Sequence, residues 1–117
     1  MAYIDIMMAA VRTDRKQDYL DHAERFGAMF KRLGALGYSE SWADEVPDGD
    51  VTSMPKAVKK EDGEDVVIGW TIWPDKATRD EAWTAAHNDP VMQEFGGSMP
   101  FDGKRLIYGG FDQILSS

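Results

Sequence analysis

The sequence predicts an α+β fold of the ferredoxin-like type, β-α-β-β-α-β, with an antiparallel sheet and two helices on one face. Three observations carry that prediction. Apolar segments too short for helices occur at 3–11, 65–73 and 106–111. Stretches with helical spacing follow the first and the second of them. No seam or low-complexity tract divides the 117 residues, which read as a single domain, 1–117.

Taken in order, Tyr3 to Val11 is nearly all apolar and reads as a strand buried on both faces. Thr13-Asp14 supplies an N-cap, with Gln17 three residues after Asp14 as in a capping box. Tyr19, Ala23, Phe26, Phe30 and Leu33 then recur at steps of four and three, one face of an amphipathic helix. Its other face carries Lys16, Asp18, Asp21, Arg25 and Arg32, and Gly34 and Gly37 are stop signals. Gly37 to Val46 is extended, with Tyr38 and Trp42 among polar residues. Pro47-Asp48-Gly49-Asp50 is a turn. Residues 51–65 read as a loop or irregular strand.

Asp65 to Trp73 is a strand that Pro74 ends. Asp75 caps a second helix running to about His87, with a stripe of Arg79, Trp83, Ala86 and His87. Asp89-Pro90 opens a short helix that Gly96-Gly97 breaks. After the turn at 100–103, Lys104 to Leu115 forms the last strand.

Composition excludes several functions. Without cysteine there is no disulfide, thiolate metal site or cysteine nucleophile. Thirteen basic against twenty-one acidic residues give −8, a field that repels phosphate backbones, so no nucleic-acid partner is expected. No apolar run approaches the roughly 20 residues that span a bilayer, so no membrane partner is expected either. The start of the chain lacks a basic-then-apolar leader, and the reading is cytoplasmic. No HxH or HExxH spacing exists, so no metal site is expected, and no cofactor.

A sheet with helices on one face and water on the other should alternate apolar and polar residues. Three of these strands do not. A second copy, packed sheet against sheet, is the simplest cover, so a homodimer with a barrel-like core is expected.

The second half carries a family likeness. Val66 to Trp73 followed by Pro-Asp-Lys-Ala-Thr-Arg-Asp, then Asp89-Pro90-Val91-Met92, then Ser98-Met99-Pro100-Phe101-Asp102-Gly103-Lys104-Arg105 through Phe111, resembles the uncharacterised bacterial YbaA-like family. Trp42 to Thr52 and Ala57-Val58-Lys59 fit it too, and the likeness breaks at Ser53-Met54-Pro55. The resemblance implies membership of the dimeric α/β-barrel superfamily. That group holds small monooxygenases of antibiotic biosynthesis, haem-degrading enzymes and dehalogenating dismutases; the family itself has no established reaction.

Candidate chemistry is then assigned by residue type. His87 is a general-base candidate, because an imidazole titrates near neutrality, or else a helix cap. His22 lies beside charged residues on the first helix and reads as solvated. Trp42, Trp70, Trp73 and Trp83 could wall an aromatic pocket or simply fill the core. Trp70 and Trp73 are three apart in a strand and must face opposite ways. Asp102 reads as a turn residue; Lys104 and Arg105 could hold a carboxylate or enolate, or form a dimer salt bridge with an acid. Tyr108 could donate to an oxyanion, and Arg79 could stack on Trp83.

The functional reading is a small-molecule-binding homodimer, a cofactor-free enzyme of monooxygenase or isomerase type by superfamily analogy. On that reading His87, Tyr108 and Arg105 are catalytic, and Trp42, Trp70, Arg79, Lys104 and Asp102 bind ligand. The alternative is a non-catalytic dimeric module whose motifs maintain fold and interface.

Overall fold

A ten-residue strand at the start of the chain pairs with one neighbour along its whole length and with a second through Tyr3 to Met8, and the sheet is built around it. The structure, a computed structural model, describes residues 1–95 and 99–117. Strand β1 (Tyr3–Arg12) lies antiparallel to β3 (Glu64–Trp73) and to β4 (Ile107–Asp112), and β3 pairs in turn with β2 (Gly37–Trp42). The order β2-β3-β1-β4 is the ferredoxin-like one. Helix α1 (Lys16–Arg32) follows β1 through a 3-10 turn at Thr13–Arg15. A one-turn helix, α2 (Met54–Ala57), precedes β3; α3 (Lys76–Ala86) and α4 (Pro90–Phe95) follow it.

The caps on α3 and α4 form as the sequence requires. Asp75 Oδ1 accepts from the Thr78 N–H at 2.7 Å, and Asp89 Oδ1 from the Val91 N–H at 3.0 Å. The glycine break expected at 96–97 lies outside the described residues. The capping box of α1 does not form. Arg12 takes the Asp14 carboxylate at 2.8 Å, and the Gln17 amide donates to Asp21 Oδ1 instead. An ion pair out-competes a backbone N–H for the same oxygens.

Three other boundaries differ from expectation. β2 ends at Trp42 rather than Val46, because the Ala43 N–H gives the last bond to Val66 O before the acidic turn. β4 is confined to Ile107–Asp112; beyond it Ile114 and Leu115 are exposed and have nothing to pack on. Within 51–65 the chain makes α2, whose Ser53 cap accepts from the Lys56 N–H at 3.1 Å.

Tyr3, Phe26, Met29, Phe30, Trp73, Ala82 and Ala86 form the core between the sheet and helices α1 and α3. Trp73 is wholly buried there, a contribution of roughly 2–3 kcal/mol from area alone. On the outer face, Val58 packs with Ala10 and Val66, so the segment around α2 covers one end of the sheet. The rest is open: Ile6, Ile68, Trp70, Ile107 and Phe111 are each more than a third exposed.

Candidate functional site

The strand register places four residues in one row across the sheet. Glu40 of β2 stands opposite Gly69 of β3, Gly69 opposite Met7 of β1, and Met7 opposite Tyr108 of β4. All four belong to the helix-side face, where alternation also puts Tyr38 and Trp42 beside Glu40, and Tyr3 and Asp5 beside Met7. Above this row lies a cavity of about 580 Å³. Tyr19, His22, Phe26 and Phe30 of α1 form its roof, together with Trp83 of α3; Met92, Met99 and Phe101 also line it.

Glu40 is the chemically distinctive group. Tyr19 donates its hydroxyl to Oε1 at 2.5 Å and Tyr38 donates to Oε2 at 2.5 Å. Two glycines make the arrangement possible. A Cβ at Gly69 would stand 2.7 Å from both carboxyl oxygens, and one at Gly27 would stand 2.7 Å from the Tyr38 ring. Among the described residues no lysine, arginine or histidine forms an ion pair with Glu40. Burial therefore raises its proton affinity above that of an ordinary glutamic acid, and the two tyrosine bonds only partly oppose this. Both tyrosine hydroxyls are held far above the usual phenol range, first by burial and then by the neighbouring carboxylate.

His22 overturns the expectation of a solvated side chain: it is 7% exposed. Its ring stacks on Phe26 at 4.2 Å, its Nε2 meets the Met99 sulfur at 3.1 Å, and its buried Nδ1 has no hydrogen-bond partner among the described residues. Desolvation lowers its pKa to about 4, so the imidazole is neutral near pH 7. The sequence carried a signal for this. His22 is three residues after Tyr19 and four before Phe26, within the apolar stripe.

Asp5, in contrast, is saturated. Arg79 donates to it from Nε and Nη2, the latter at 2.8 Å, and the indole N–H groups of Trp73 and Trp83 donate at 2.9 and 3.1 Å. Arg79 was expected to stack on Trp83; its guanidinium instead lies over the Tyr3 ring at 5.2 Å and spends its charge on Asp5. Arg79 still borders the cavity, but not as a free cation.

The other predicted residues scatter. Tyr108 stands at the cavity wall, largely exposed on the edge strand. Trp70 borders the cavity through its length of β3, while its ring lies on the outer face near Gly37. Trp73 is core, and Trp42 packs on Tyr19 and donates to Asp65 at 3.2 Å, outside the cavity lining. His87 is an exposed residue at the end of α3, away from that lining, so the cap reading describes its position.

Arg105 is not at the cavity either. It grips Glu64 with two bonds of 2.8 Å and donates to Asp102 and to the Lys59 carbonyl. The expected salt bridge is thus made within the chain. Asp102 accepts the Lys104 N–H at 2.9 Å, the self-bonding turn its Asp-Gly sequence suggested, and Lys104 is exposed. A separate hollow of about 440 Å³ near α2 is bordered by exposed Asp44, Asp48, Lys56, Lys59 and Lys60. Among the described residues no three His, Asp or Glu side chains gather to hold a metal, and no helix is long and apolar enough to cross a membrane.

Fold and cavity together define a ferredoxin-like α+β protein with a ligand-sized space between sheet and helices. The chain belongs to the family described as "Protein of unknown function (DUF1428)", whose profile matches residues 2–103. It is 49% identical over 115 residues to the uncharacterized protein YbaA of Escherichia coli K12, covering 98% of each chain. Two solved structures share its fold at low identity. A variant of SnoaB, a cofactor-independent oxygenase from Streptomyces nogalater, superposes with a TM-score of 0.64 at 13% identity, covering 98% of this chain and 95% of that one. An uncharacterized NIPSNAP-like domain protein from Burkholderia xenovorans gives 0.58 at 15%, covering 99% and 89%.

Proposed function

We propose that the chain is a homodimer that binds a flat, largely apolar small molecule between sheet and helices and acts on it as a cofactor-free enzyme of monooxygenase or isomerase type. The observation that carries this reading is the cavity of about 580 Å³, within the size range of small-molecule sites. Phe26, Phe30, Trp83 and Phe101 give it aromatic walls, and a few polar groups converge on it: Glu40, His22, Tyr19, Tyr38 and Tyr108. In a module whose aromatics served the fold alone, that space would be filled. The description of SnoaB as a cofactor-independent oxygenase supports the reaction class by fold analogy only.

The dimer rests on the outer face. Ile6, Ile68, Trp70, Ile107 and Phe111 leave an apolar patch on one side of the sheet, flanked by the segment around α2. A second copy presents the same patch and satisfies both.

Native mass spectrometry of gently purified protein tests both parts at once. A dimer mass with a discrete small-molecule increment is expected. Trp70→Glu should convert the dimer to monomer by placing a charge in the patch. A wild-type monomer at micromolar concentration refutes the pairing. Cavity-lining variants that leave the increment unchanged refute the ligand site.

A further inference from the structure

We infer that Glu40 is the proton acceptor for a neutral, flat, enolisable carbonyl compound held on the row Glu40–Gly69–Met7–Tyr108, with Tyr108 meeting the carbonyl oxygen. The inference deepens the small-molecule reading above and rests on it.

The geometry argues this in three steps. First, the row sets an acid at one edge of the sheet and a phenol at the other, separated by a glycine and a methionine. Three strand spacings make that span about 14 Å between Cα atoms. A planar bicyclic or larger molecule can lie on such a floor, under the rings of Phe26, Phe30 and Trp83.

Second, the available charges select the substrate class. The cavity's arginine is committed to Asp5, so no free cation among the described residues welcomes an anion beside Glu40. The Tyr19 and Tyr38 hydroxyls fix both carboxyl oxygens in position without neutralising them. A carboxyl oriented in this way and withdrawn from water suits proton transfer with a neutral partner.

Third, the step balances without any co-reactant. The Glu40 carboxylate takes a proton from the carbon next to the carbonyl. The C–H electron pair becomes the new C–C π bond, and the carbonyl π pair moves to oxygen, where Tyr108 donates a hydrogen bond. Glu40 then returns the proton, to the same carbon or to the far carbon of a conjugated system. When the Glu40 proton is traded for a solvent deuteron before it is returned, the first outcome is hydrogen exchange; the second is isomerisation.

The test uses two probes on the full-length dimer. β-Naphthol, an enol mimic, reports binding by fluorescence. β-Tetralone in deuterium oxide reports exchange next to its carbonyl by NMR. Exchange should run ~100-fold or more above buffer. Glu40→Gln should remove that acceleration while β-naphthol still binds. The rate should rise with pH through one group titrating above the ordinary glutamate range, and Tyr38→Phe should move that midpoint upward by removing a bond to the charged form. Glu40→Asp serves if the glutamine variant fails to fold by circular dichroism; its retracted carboxyl should lower the rate in the same direction.

Bound β-naphthol with exchange no faster than buffer, or equally fast in Glu40→Gln, overturns the role of Glu40 and leaves the cavity reading standing. A folded dimer that binds neither probe overturns both.

Discussion

Asp5 and Glu40 are two carboxyls on the same face of the same sheet, and both border the same cavity. Asp5 receives a guanidinium and two indole N–H groups. Glu40 receives two phenol hydroxyls and, among the described residues, no cation. The difference separates a carboxylate that holds the structure together from one with chemistry in reserve. An acid that is only hydrogen-bonded and partly desolvated sits closer to the balance between its two forms.

The largest effect should come from breaking the answered charge. Asp5→Ala leaves the Arg79 guanidinium and two indole N–H groups without their acceptor and should cost roughly 3–5 kcal/mol in urea unfolding. A loss below about 1 kcal/mol would show that Asp5 is not the structural partner its contacts describe.

Next comes the pH dependence of His22. Its pKa is lowered from 6.5 to about 4, so the unfolded chain binds the extra proton first as pH falls. Stability from this group is therefore present above pH 6.5 and is lost progressively down to about pH 4. The slope approaches one proton, about 1.4 kcal/mol per pH unit at its steepest. His22→Gln should flatten that part of the profile; an unchanged slope would refute the assignment.

Gly69→Ala is expected to cost about 1–2 kcal/mol, since its Cβ meets both Glu40 oxygens at 2.7 Å. It should also weaken β-naphthol binding by displacing the carboxyl.

The smallest change in stability should come from Glu40→Gln, within about 1 kcal/mol of wild type near neutral pH. The sign follows from the raised pKa of Glu40. Its contribution is present below the ordinary value of 4.5 and falls as pH rises toward the folded value, opposite in direction to that of His22. The variant should thus gain on wild type as pH rises. A large loss at neutral pH would make Glu40 a structural residue like Asp5.

Sequence periodicity reached some of this site and not the rest. The stripe of α1 identified Tyr19, Phe26 and Phe30, and read with its spacing it also contains His22. Alternation in β2 sets Tyr38, Glu40 and Trp42 on one face, a local signal that an acid shares a side with two aromatics. Neither pattern shows that the Tyr19 hydroxyl reaches a residue 21 positions later. Arg105 and His87 look reactive by residue type. Only their surroundings, Glu64 for one and solvent for the other, put them outside the cavity.

By itself the sequence determined the strands and long helices, the caps at Asp75 and Asp89, and the apolar character of both sheet faces. Those follow from interactions within a few residues and from side-chain period, which the chain carries locally. Tertiary structure alone decided which charges are answered. Asp5 finds Arg79 across 74 positions and Arg105 finds Glu64 across 41, while Glu40 finds two tyrosines. A group's protonation depends on what surrounds it in space, and that is fixed when the sheet closes against its helices.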